Sequence, residues 1–389
     1  MKIEYMEQTR QGVFRQQAIG SPEPYNAFVP FDLPPEFSAS VGLSRLLSEA
    51  DQAIGRLDGL GHVLPNIDLF IYFHCRREAV LSSQIEGTQS TLSELLLFEM
   101  DMPVGGSTDD VRQVSNYISA MRHGMDRMKG GFPLSLRLLR EIHEILLSSG
   151  RGREKHPGEF RTSQNWIGGT RPGNATFVPP PPDVLMDSLD KFEKFLHGKA
   201  VDFPVLIQAA MLHYQFETIH PFLDGNGRIG RLLIPLLLIE RNVLNEPLLY
   251  PSLFFKKNRD QYFSLLQQVR IEGAWEAWIE FFLKAVASTA TQASLLVKSL
   301  VELMQADDLR IRSLDRARGS MVQVYAQVCH RPFFRIADLC ESTHLGFGTV
   351  QRCVQQMQGM GMLSEITNRP RNRIYRYNQF VELLNSDME

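Results

Sequence analysis

His220-Pro-Phe-Leu-Asp-Gly-Asn-Gly-Arg-Ile-Gly-Arg231 stands directly before the apolar run at residues 232–239. The stretch combines an imidazole, a carboxylate, an amide, two guanidinium groups and three glycines. The apolar run predicts a buried helix. A glycine-rich backbone just before a helix N-terminus exposes N–H groups that bind phosphate oxygens. The pattern therefore predicts a loop-to-helix junction that binds the phosphates of a nucleotide.

The charged side chains of this loop suit a bound polyphosphate. Arg228 and Arg231 are three positions apart, so they share one face of the helix. Asp224 offers a hard oxygen ligand of the kind that holds Mg²⁺ together with nucleotide oxygens. His220 can accept a proton near neutral pH. A glycine-rich helix cap with an incidental histidine is the alternative, and it leaves the combined His, Asp, Asn and Arg pattern unexplained.

The composition is that of an ordinary globular protein of two or three domains. The chain has 389 residues, 43% apolar and 22% charged, and a domain averages about 150 residues. The formal net charge of −3 argues against a general polyanion binder but permits a small basic face. The four cysteines have no CxxC spacing, which predicts neither a zinc site nor a disulfide framework. They are Cys75, Cys329, Cys340 and Cys353.

Two features predict a cytoplasmic protein without a membrane segment. Residues 1–20 are polar and lack the apolar core of a signal peptide. The longest apolar run, residues 232–239, is too short to span a bilayer and contains Pro235.

Apolar periodicity predicts a mainly α fold. Residues 1–40 contain several prolines without a helical period and predict an extended arm. A loop at residues 102–110 supplies Ser, Thr and Asp as caps for the next helix. Residues 159–178 alternate apolar and polar side chains around glycines, which predicts a small exposed hairpin before the prolines at 179–182. Other helices are expected at residues 38–99, from 111, at 133–148, 183–196, 204–217, 229–241, 258–269 and 274–298.

The end of the chain has the element order of a winged helix. Three helices are followed by a strand, a basic turn and a second strand, and the boundary with the preceding helices is expected between residues 300 and 320. The expected helices are residues 322–329, 335–342 and 346–358. The first strand is expected after residue 359, the basic turn at residues 368–373, and the second strand from residue 374.

The loop resembles the signature of the Fic family, His-x-Phe-x-Asp/Glu-Gly-Asn-Gly-Arg-x-x-Arg, and matches every fixed position. Residues 110–285 resemble the Fic core, and residues 30–100 resemble the N-terminal region of larger bacterial members. The resemblance implies a Fic helical core with a small hairpin flap. It divides the chain into an N-terminal region (1–109), a catalytic core (110–300), and a linker helix with a winged-helix domain (301–389).

The resemblance implies transfer of AMP from ATP to a Ser, Thr or Tyr hydroxyl of a protein, including the enzyme itself. His220 is then the general base, and Asp224 holds Mg²⁺. Asn226 and the backbone amides of residues 225–227 surround the developing charge, while Arg228 and Arg231 hold the β- and γ-phosphates. The implied catalytic residues are His220, Asn226 and Arg228. The implied ATP contacts are Glu86, His220, Gly225, Asn226, Gly227, Arg228, Ile229, Gly230, Arg231 and Tyr262.

Ser82-Ser-Gln-Ile-Glu86-Gly87 resembles the inhibitory motif of the same family, Ser/Thr-x-x-x-Glu-Gly/Asn. Without the family, a glutamate at a helix end is an ordinary surface group, and Gly87 suits a left-handed helix terminus. The resemblance implies that Glu86 pairs with Arg231 and keeps it from the γ-phosphate. We therefore expect an autoinhibited enzyme, with Ser82, Glu86 and Gly87 as the inhibitory residues.

Three smaller predictions concern single side chains and a surface hairpin. Tyr262 matches a family tyrosine near the adenine, although Phe263 stands where a second tyrosine is common. His143 and His213 lie among apolar residues and are expected to be hydrogen-bonded core histidines. The hairpin at 159–178 matches the position of the flap that takes an extended target segment, with an ordinary surface hairpin as the alternative.

The C-terminal domain leaves its partner open between DNA, through residues 320–380, and a protein, including a second copy of the chain. Other functions also remain open: removal of AMP by Glu86 and water, another nucleotide donor, or a transcriptional regulator that senses nucleotide. The side chains expected to face DNA are Thr349, Gln351, Arg352 and Gln355 on the helix, and Arg369, Arg371, Arg373 and Arg376 on the strands and turn.

Overall fold

The computed structural model describes residues 10–386 apart from 22, 37, 64–66, 101–104, 199–202, 315–317, 368 and 370. The described residues form fifteen α-helices, five β-strands and one 3₁₀ turn, which confirms the mainly α prediction. They divide into two compact units: Met1–Asp58 with Cys75–Thr291, and Gly59–His74 with Gln292–Glu389. The start of the predicted arm, the start of the predicted capping loop and two positions of the predicted basic turn lie outside the described residues.

The elements are numbered along the chain. The helices are α1 (Val41–Val63), α2 (Ile67–Ile85), α3 (Leu92–Phe98), α4 (Thr108–Lys129), α5 (Leu136–Leu146), α6 (Pro182–His197), α7 (Val205–Ile219), α8 (Asn226–Glu240), α9 (Ser252–Lys257), α10 (Arg259–Glu272), α11 (Trp275–Arg312), α12 (Arg318–His330), α13 (Ile336–Thr343), α14 (Phe347–Gly359) and α15 (Asn378–Asn385). The strands are β1 (Gly12–Gln17), β2 (Tyr25–Pro30), β3 (Phe333–Arg335), β4 (Leu363–Glu365) and β5 (Ile374–Tyr377). No helix among the described residues has the length and apolarity that crossing a bilayer requires.

The N-terminal residues form a β-hairpin, where the sequence predicted only an extended arm. Strands β1 and β2 pair antiparallel, with Gly12 opposite Pro30 and Gln17 opposite Tyr25. Phe28 is fully buried, and its N–H donates to the carbonyl of Val178 at 2.9 Å. The hairpin is therefore part of the first unit, and burial of one aromatic side chain helps to fix it there.

Side-chain caps set the start of two helices in the first unit. Ser107 accepts a hydrogen bond from the N–H of Asp110 at the start of α4, as the Ser/Thr/Asp-rich loop predicted. Ser135 caps α5 in the same way through the N–H of Leu138.

Helices α7 and α8 form the centre of the first unit. Nearly every side chain of both helices is buried, which is typical of core helices that are apolar on all faces. A Cβ at Gly230 would lie 2.5 Å from the Glu217 carboxylate, so glycine permits the close approach of the two helices. The loop between the two helices comprises residues 220–225. Both ends of this loop are therefore attached to buried helices.

The segment at 159–178 is less regular than the predicted hairpin. Only one antiparallel bridge forms, between Ile167 and Phe177, and the N–H of Ile167 donates to the carbonyl of Phe177 at 2.8 Å. A 3₁₀ turn at Pro172–Asn174 separates the two residues. Gly168 and Gly169 both have a positive φ of 69°, which prevents extended pairing beyond the bridge.

The C-terminal part of the second unit has the predicted three helices, α12, α13 and α14, followed by antiparallel strands β4 and β5. The sheet has three strands in the order β3-β5-β4, because β3 pairs with β5. Strand β3 has three residues and α15 has eight, and the sequence analysis predicted neither of them.

Candidate active site

His220 occupies a strained position at the end of α7. Its backbone is left-handed, with φ 49° and ψ 60°, which is uncommon for a residue with a side chain. The carbonyl oxygen of His220 accepts hydrogen bonds from Arg161 Nε at 3.0 Å and Asn165 Nδ2 at 3.2 Å. These contacts from residues 161 and 165 hold the turn that presents the imidazole.

The imidazole of His220 is oriented by the backbone of α7. Its Nδ1 lies 3.3 Å from the carbonyl oxygen of Glu217, and because a carbonyl only accepts, Nδ1 carries the hydrogen and Nε2 keeps its lone pair. Burial lowers the pKa of His220 to about 4, against the Glu217 hydrogen bond, and the positive charges of Arg161 and Arg270 lower it further. The imidazole is therefore neutral near pH 7 and has one nitrogen free to take a proton.

Arg161 joins both ends of segment 159–178 to the loop. Besides His220, its guanidinium donates to the carbonyls of Pro180 at 2.6 Å, Ile219 at 3.3 Å and Ser163 at 3.3 Å. The side chain is buried, and burial lowers its pKa to about 10. The sequence analysis did not select Arg161, because it lies within the Gly-Glu-Phe-Arg stretch that was assigned to the hairpin.

Asn226 closes the loop on itself. Its Nδ2 donates to the carbonyl of Phe222 and its Oδ1 accepts from the N–H of Phe222, both at 2.8 Å. The side chain is buried, and these two hydrogen bonds position the backbone of the loop. The contact of Asn226 with a developing charge stays a prediction.

His143 packs against the loop and hydrogen-bonds to it. Its ring stacks on Phe222 with centroids 3.7 Å apart. The N–H of Gly158 donates to Nδ1 at 2.9 Å, which makes Nε2 the donor to the carbonyl of Asp224 at 3.0 Å. His143 is thus a hydrogen-bonded core histidine, as predicted, and burial lowers its pKa to about 4.

The carboxylate of Asp224 remains partly open. Its Oδ1 accepts the N–H of Gly225 at 2.6 Å and lies 3.5 Å from Arg228 Nη2. The side chain is 35% exposed, and Gly152 approaches Oδ2 so closely that a Cβ there would lie 2.7 Å away. One exposed carboxylate fits Mg²⁺ that takes its other ligands from a nucleotide and water. Within the described part of the chain, no three His, Cys, Asp or Glu side chains cluster as a metal site.

Arg228 and Arg231 are both buried at the start of α8. Arg228 Nη1 donates to Gln113 Oε1 at 3.2 Å. Gln113 is a buried residue of α4 that the sequence analysis did not select. Burial lowers the pKa of Arg228, against the opposing charges of Asp224 and Glu86.

Arg231 is held by the end of α2. Its Nε donates to Ser82 Oγ at 2.8 Å, and its Nη2 donates to the Ser82 carbonyl at 2.9 Å and to Glu86 Oε1 at 2.7 Å. Gly87 follows with a φ of 100°, which confirms the predicted left-handed helix terminus. The structure therefore brings Ser82 and Glu86 to Arg231, which is 149 and 145 positions away in sequence.

The two partners of this ion pair differ in exposure. The Arg231 side chain is 1% exposed, whereas that of Glu86 is 42% exposed. Burial opposes ionisation of Glu86, but the Arg231 charge outweighs it and holds the Glu86 pKa below its usual value. A Cβ at Gly227 would collide with the Glu86 carboxylate, so glycine at this position permits the contact.

Two further carboxyl groups lie buried near Arg231. Glu78 accepts hydrogen bonds from Ser252 Oγ at 2.5 Å and Tyr117 OH at 3.2 Å. Burial raises the pKa of Glu78 to about 7, and burial likewise raises the pKa of Glu217 to about 7. Both groups are therefore poised between neutral and charged forms near neutral pH.

Three residues predicted to contact the nucleotide form hydrogen bonds within the protein through their side chain or backbone. Tyr262 is fully buried, and its hydroxyl hydrogen-bonds to Nε2 of the buried His213 at 2.9 Å. Ile229 is also fully buried, and its N–H donates to the carbonyl of Gly225 at 3.0 Å. Gly230 packs against α7, and its carbonyl accepts from His213 Nδ1 at 2.9 Å. In this structure the hydroxyl of Tyr262 is directed to His213, and its contact with adenine stays a prediction.

Two family models match the chain. The Fic/DOC family N-terminal model matches residues 44–126, and the Fic/DOC family model matches residues 133–238, which include the loop. Among curated proteins, protein adenylyltransferase Fic of Aedes aegypti is 34% identical over 203 residues, or 51% of this chain and 37% of that protein. The same-named protein of Drosophila ananassae is 28% identical over 228 residues, or 55% of this chain and 43% of that protein. The aligned part thus spans less than half of these relatives.

Solved structures share the fold at low sequence identity. A Fic family protein from Desulfovibrio desulfuricans has a TM-score of 0.56 at 20% identity, covering 89% of this chain and 98% of its own. Fic-1 from C. elegans has a TM-score of 0.52 at 19% identity, covering 67% of this chain and 73% of its own. Both similarities concern the fold.

Proposed function

The chain belongs to the Fic/DOC family, and from this premise we propose that it is a protein adenylyltransferase. The reaction transfers AMP from ATP to a Ser, Thr or Tyr hydroxyl of a protein target, with release of diphosphate. The curated relatives named protein adenylyltransferase Fic support this choice of reaction. The Fic/DOC family model matches residues 133–238, which contain the loop at 220–231.

The observation that carries the proposal is the state of His220. A hydroxyl attacks the α-phosphorus readily only if a base takes its proton as the new P–O bond forms. The Nδ1–H of His220 is committed to the Glu217 carbonyl, which leaves Nε2 as that base. The bond between the α-phosphorus and the bridging oxygen breaks at the same time, and the electron pair leaves with diphosphate.

The remaining residues of the loop supply positive charge and positioning. Arg228 and Arg231 would hold the β- and γ-phosphates, and the backbone N–H groups at the start of α8 would receive phosphate oxygens. Asp224 would hold Mg²⁺, which neutralises phosphate charge when bound. Asn226 and Arg161 hold the backbone of the loop in place through hydrogen bonds to the carbonyls of Phe222 and His220.

We further propose that Glu86 inhibits the enzyme. Arg231 donates to Glu86 at 2.7 Å, so the γ-phosphate must displace this carboxylate to reach the same guanidinium. Because the Glu86 side chain is 42% exposed while Arg231 is buried, the carboxylate is the partner that can move away. Ser82 retains its two contacts to Arg231 when Glu86 leaves.

Intact-mass measurement with ATP, GTP, CTP and UTP tests the reaction, the donor and the inhibition together. We expect one added AMP, from ATP only, seen chiefly in Glu86→Gly and absent from Glu86→Gly/His220→Ala. Glu86→Gln should be intermediate, because it keeps a neutral hydrogen bond to Arg231. Transfer that persists without His220 would rule out its role as base.

Two outcomes would favour the alternatives. If the wild type removes AMP from a modified protein and Glu86→Gly does not, Glu86 serves the reverse reaction. If no variant modifies a protein while ATP still binds, the site senses nucleotide.

A further inference from the structure

The C-terminal part of the second unit has a charge unlike that of the whole chain. Residues 318–386 contain eight arginines, no lysine and four acidic residues, whereas the chain has a net charge of −3. Within the described residues, the side chains of Arg352, Arg373 and Arg376 bond only to backbone or amide oxygens, and Arg371 has no partner. Arginines without carboxylate partners repel one another, so their clustering points to an anionic ligand.

Two of these arginines, Arg371 and Arg373, border a groove of about 430 Å³. It lies between the first two turns of α14 and the turn that joins β4 to β5, here called the wing, of which residues 366, 367, 369 and 371–373 are described. The groove is lined by Phe347 and Gln351 of α14, Arg371 and Arg373 of the wing, and Arg335 at the end of β3. No acidic residue lines it among the described residues. The positive charge of the groove therefore comes from the wing and the end of β3, while α14 contributes an aromatic ring and an amide.

Two hydrogen bonds join described residues on the two sides of the wing. Arg373 Nε donates to the carbonyl of Arg369 across the turn at 2.8 Å. The N–H of Ile366 donates to the carbonyl of Ile374 at 3.0 Å, which extends the pairing of β4 and β5. Preorganised donors lose less conformational entropy when an anion binds.

The outer face of α14 is polar. Its apolar residues Val350, Val354 and Met357 are buried, while Arg352 and Gln355 are exposed. Phe347, 59% exposed, is the large apolar side chain at its start. The core of a protein-docking face is rich in aromatic side chains, so the exposed amides on this face of α14 favour a nucleic acid. A helix of 13 residues is about 20 Å long, and one α-helix fits the major groove of B-DNA.

We propose that this part of the chain binds double-stranded DNA. Helix α14 enters the major groove with Gln351 and Gln355 at the base edges, where a glutamine amide matches adenine. Arg371 and Arg373 bind phosphates of the strand that passes between α14 and the wing. This binding is independent of the adenylyltransferase reaction, because the two sites use different residues.

Fluorescence anisotropy of the full chain with a labelled duplex tests the proposal. With a duplex of about 30 base pairs and salt between about 50 and 300 mM, the logarithm of the affinity should fall linearly with the logarithm of the salt concentration. The double variant R371Q/R373Q should bind at least roughly tenfold more weakly at low salt and reduce the slope by about 2. Circular dichroism checks that the variant is folded.

The matched control is R331Q, because Arg331 is exposed in the same unit and does not line the groove. It should leave the slope close to that of the wild type. Absence of duplex binding at the lowest salt, or equal slopes for R371Q/R373Q and the wild type, overturns the proposal. Tighter binding of RNA or of single-stranded DNA than of the duplex overturns the assignment to double-stranded DNA.

Discussion

Arg161 donates its Nε–H to the carbonyl oxygen of His220 at 3.0 Å, and its charge lowers the pKa of the imidazole on the same residue. One buried guanidinium therefore acts on the proposed base in two ways. Its hydrogen bonds fix the left-handed turn, and its charge adds to the effect of burial, which is the main cause of the lowered pKa of His220. The two effects are separable, because lysine retains the charge and loses the forked geometry.

We expect Arg161→Gln to move the acidic limb of the pH–activity profile to higher pH. A neutral base is needed for proton transfer, and the limb should lie near the His220 pKa of about 4 in the wild-type loop. Without the Arg161 charge the imidazole takes up a proton at higher pH. Arg161→Lys should keep the limb in place but lower kcat by roughly 100-fold, because misplacing a catalytic group costs about that much. Activity of both variants in a Glu86→Gly background is measured across pH.

Arg140→Gln is the matched control for Arg161. Arg140 donates to the carbonyl of Gly158 at 2.7 Å and has no contact with residue 220. It should leave the acidic limb unchanged. Identical limbs for Arg161→Gln and Arg161→Lys would show that the charge has no part in setting the His220 pKa.

Ser82→Ala is expected to weaken ATP binding without activating the enzyme. Ser82 Oγ accepts from Arg231 Nε at 2.8 Å, and a hydrogen bond to a charged group contributes about 1.5–3 kcal/mol. Loss of this anchor should raise KM for ATP by roughly tenfold or more in a Glu86→Gly background, with kcat less affected. Ser83→Ala is the control, because Ser83 Oγ is buried without a hydrogen-bond partner. A rise in activity of the single Ser82→Ala variant would instead make Ser82 part of the inhibitory contact.

The sequence predicts the loop well because its decisive contacts are local. Asn226 bonds to a residue four positions away, and Gly225 provides a left-handed φ of 80° directly before α8. The Glu86–Arg231 contact spans 145 positions, and only the family motif gave a reason to expect it. The contacts of Arg161 could not be predicted from the sequence, because its partners are backbone carbonyl oxygens. Every residue carries such an oxygen, so the side chains of the partner residues give no signal.

The fold shows the same division between local and distant causes. Helix caps such as Ser107 follow from neighbouring residues, whereas the β1–β2 hairpin depends on burial of Phe28 beside Val178, far along the chain. The burial of Tyr262 could not be predicted, because a helical aromatic side chain has the same spacing whether it points to a ligand or to the core. Its neighbours His213 and Trp278, from two other helices, place it in the core.

Glu78→Gln should change how stability depends on pH. Burial raises the pKa of Glu78 to about 7 from an ordinary 4.5. A raised carboxyl pKa adds stability that is full below pH 4.5 and is lost as the pH rises through about 7. This loss amounts to about 3 kcal/mol, since one pKa unit corresponds to about 1.4 kcal/mol. The variant cannot ionise, so its stability relative to the wild type should improve across that range.

Urea unfolding at several pH values between about 5 and 8 measures this difference as a free energy of unfolding. We also expect the substitution to lower the free energy of unfolding by the same amount at every pH, because the new amide N–H groups are buried beside Ser252 and Tyr117. A Glu78→Gln difference that does not vary with pH would mean that Glu78 is ionised in the folded protein throughout.

Gly152→Ala should raise the Mg²⁺ requirement of the enzyme. A Cβ at this position would lie 2.7 Å from Asp224 Oδ2, so the carboxylate must move from the place where it is proposed to hold the metal. Disturbing the surroundings of a metal ligand costs about 10- to 100-fold in affinity. We therefore expect the Mg²⁺ concentration for half-maximal activity to rise by roughly tenfold or more, measured in a Glu86→Gly background.

Gly150→Ala is the control that separates the effect of the contact with Asp224 from the effect of backbone strain. Gly150 and Gly152 have positive φ angles of 77° and 91°, so alanine is strained at both. The Cβ at 150 would meet its nearest neighbour, the carbonyl of Asp109, at an ordinary 3.5 Å. Thermal unfolding should therefore show a loss of stability in both variants, while only Gly152→Ala shifts the Mg²⁺ dependence. Equal shifts in the two variants would place the effect in the loop backbone and remove the support for Asp224 as the metal ligand.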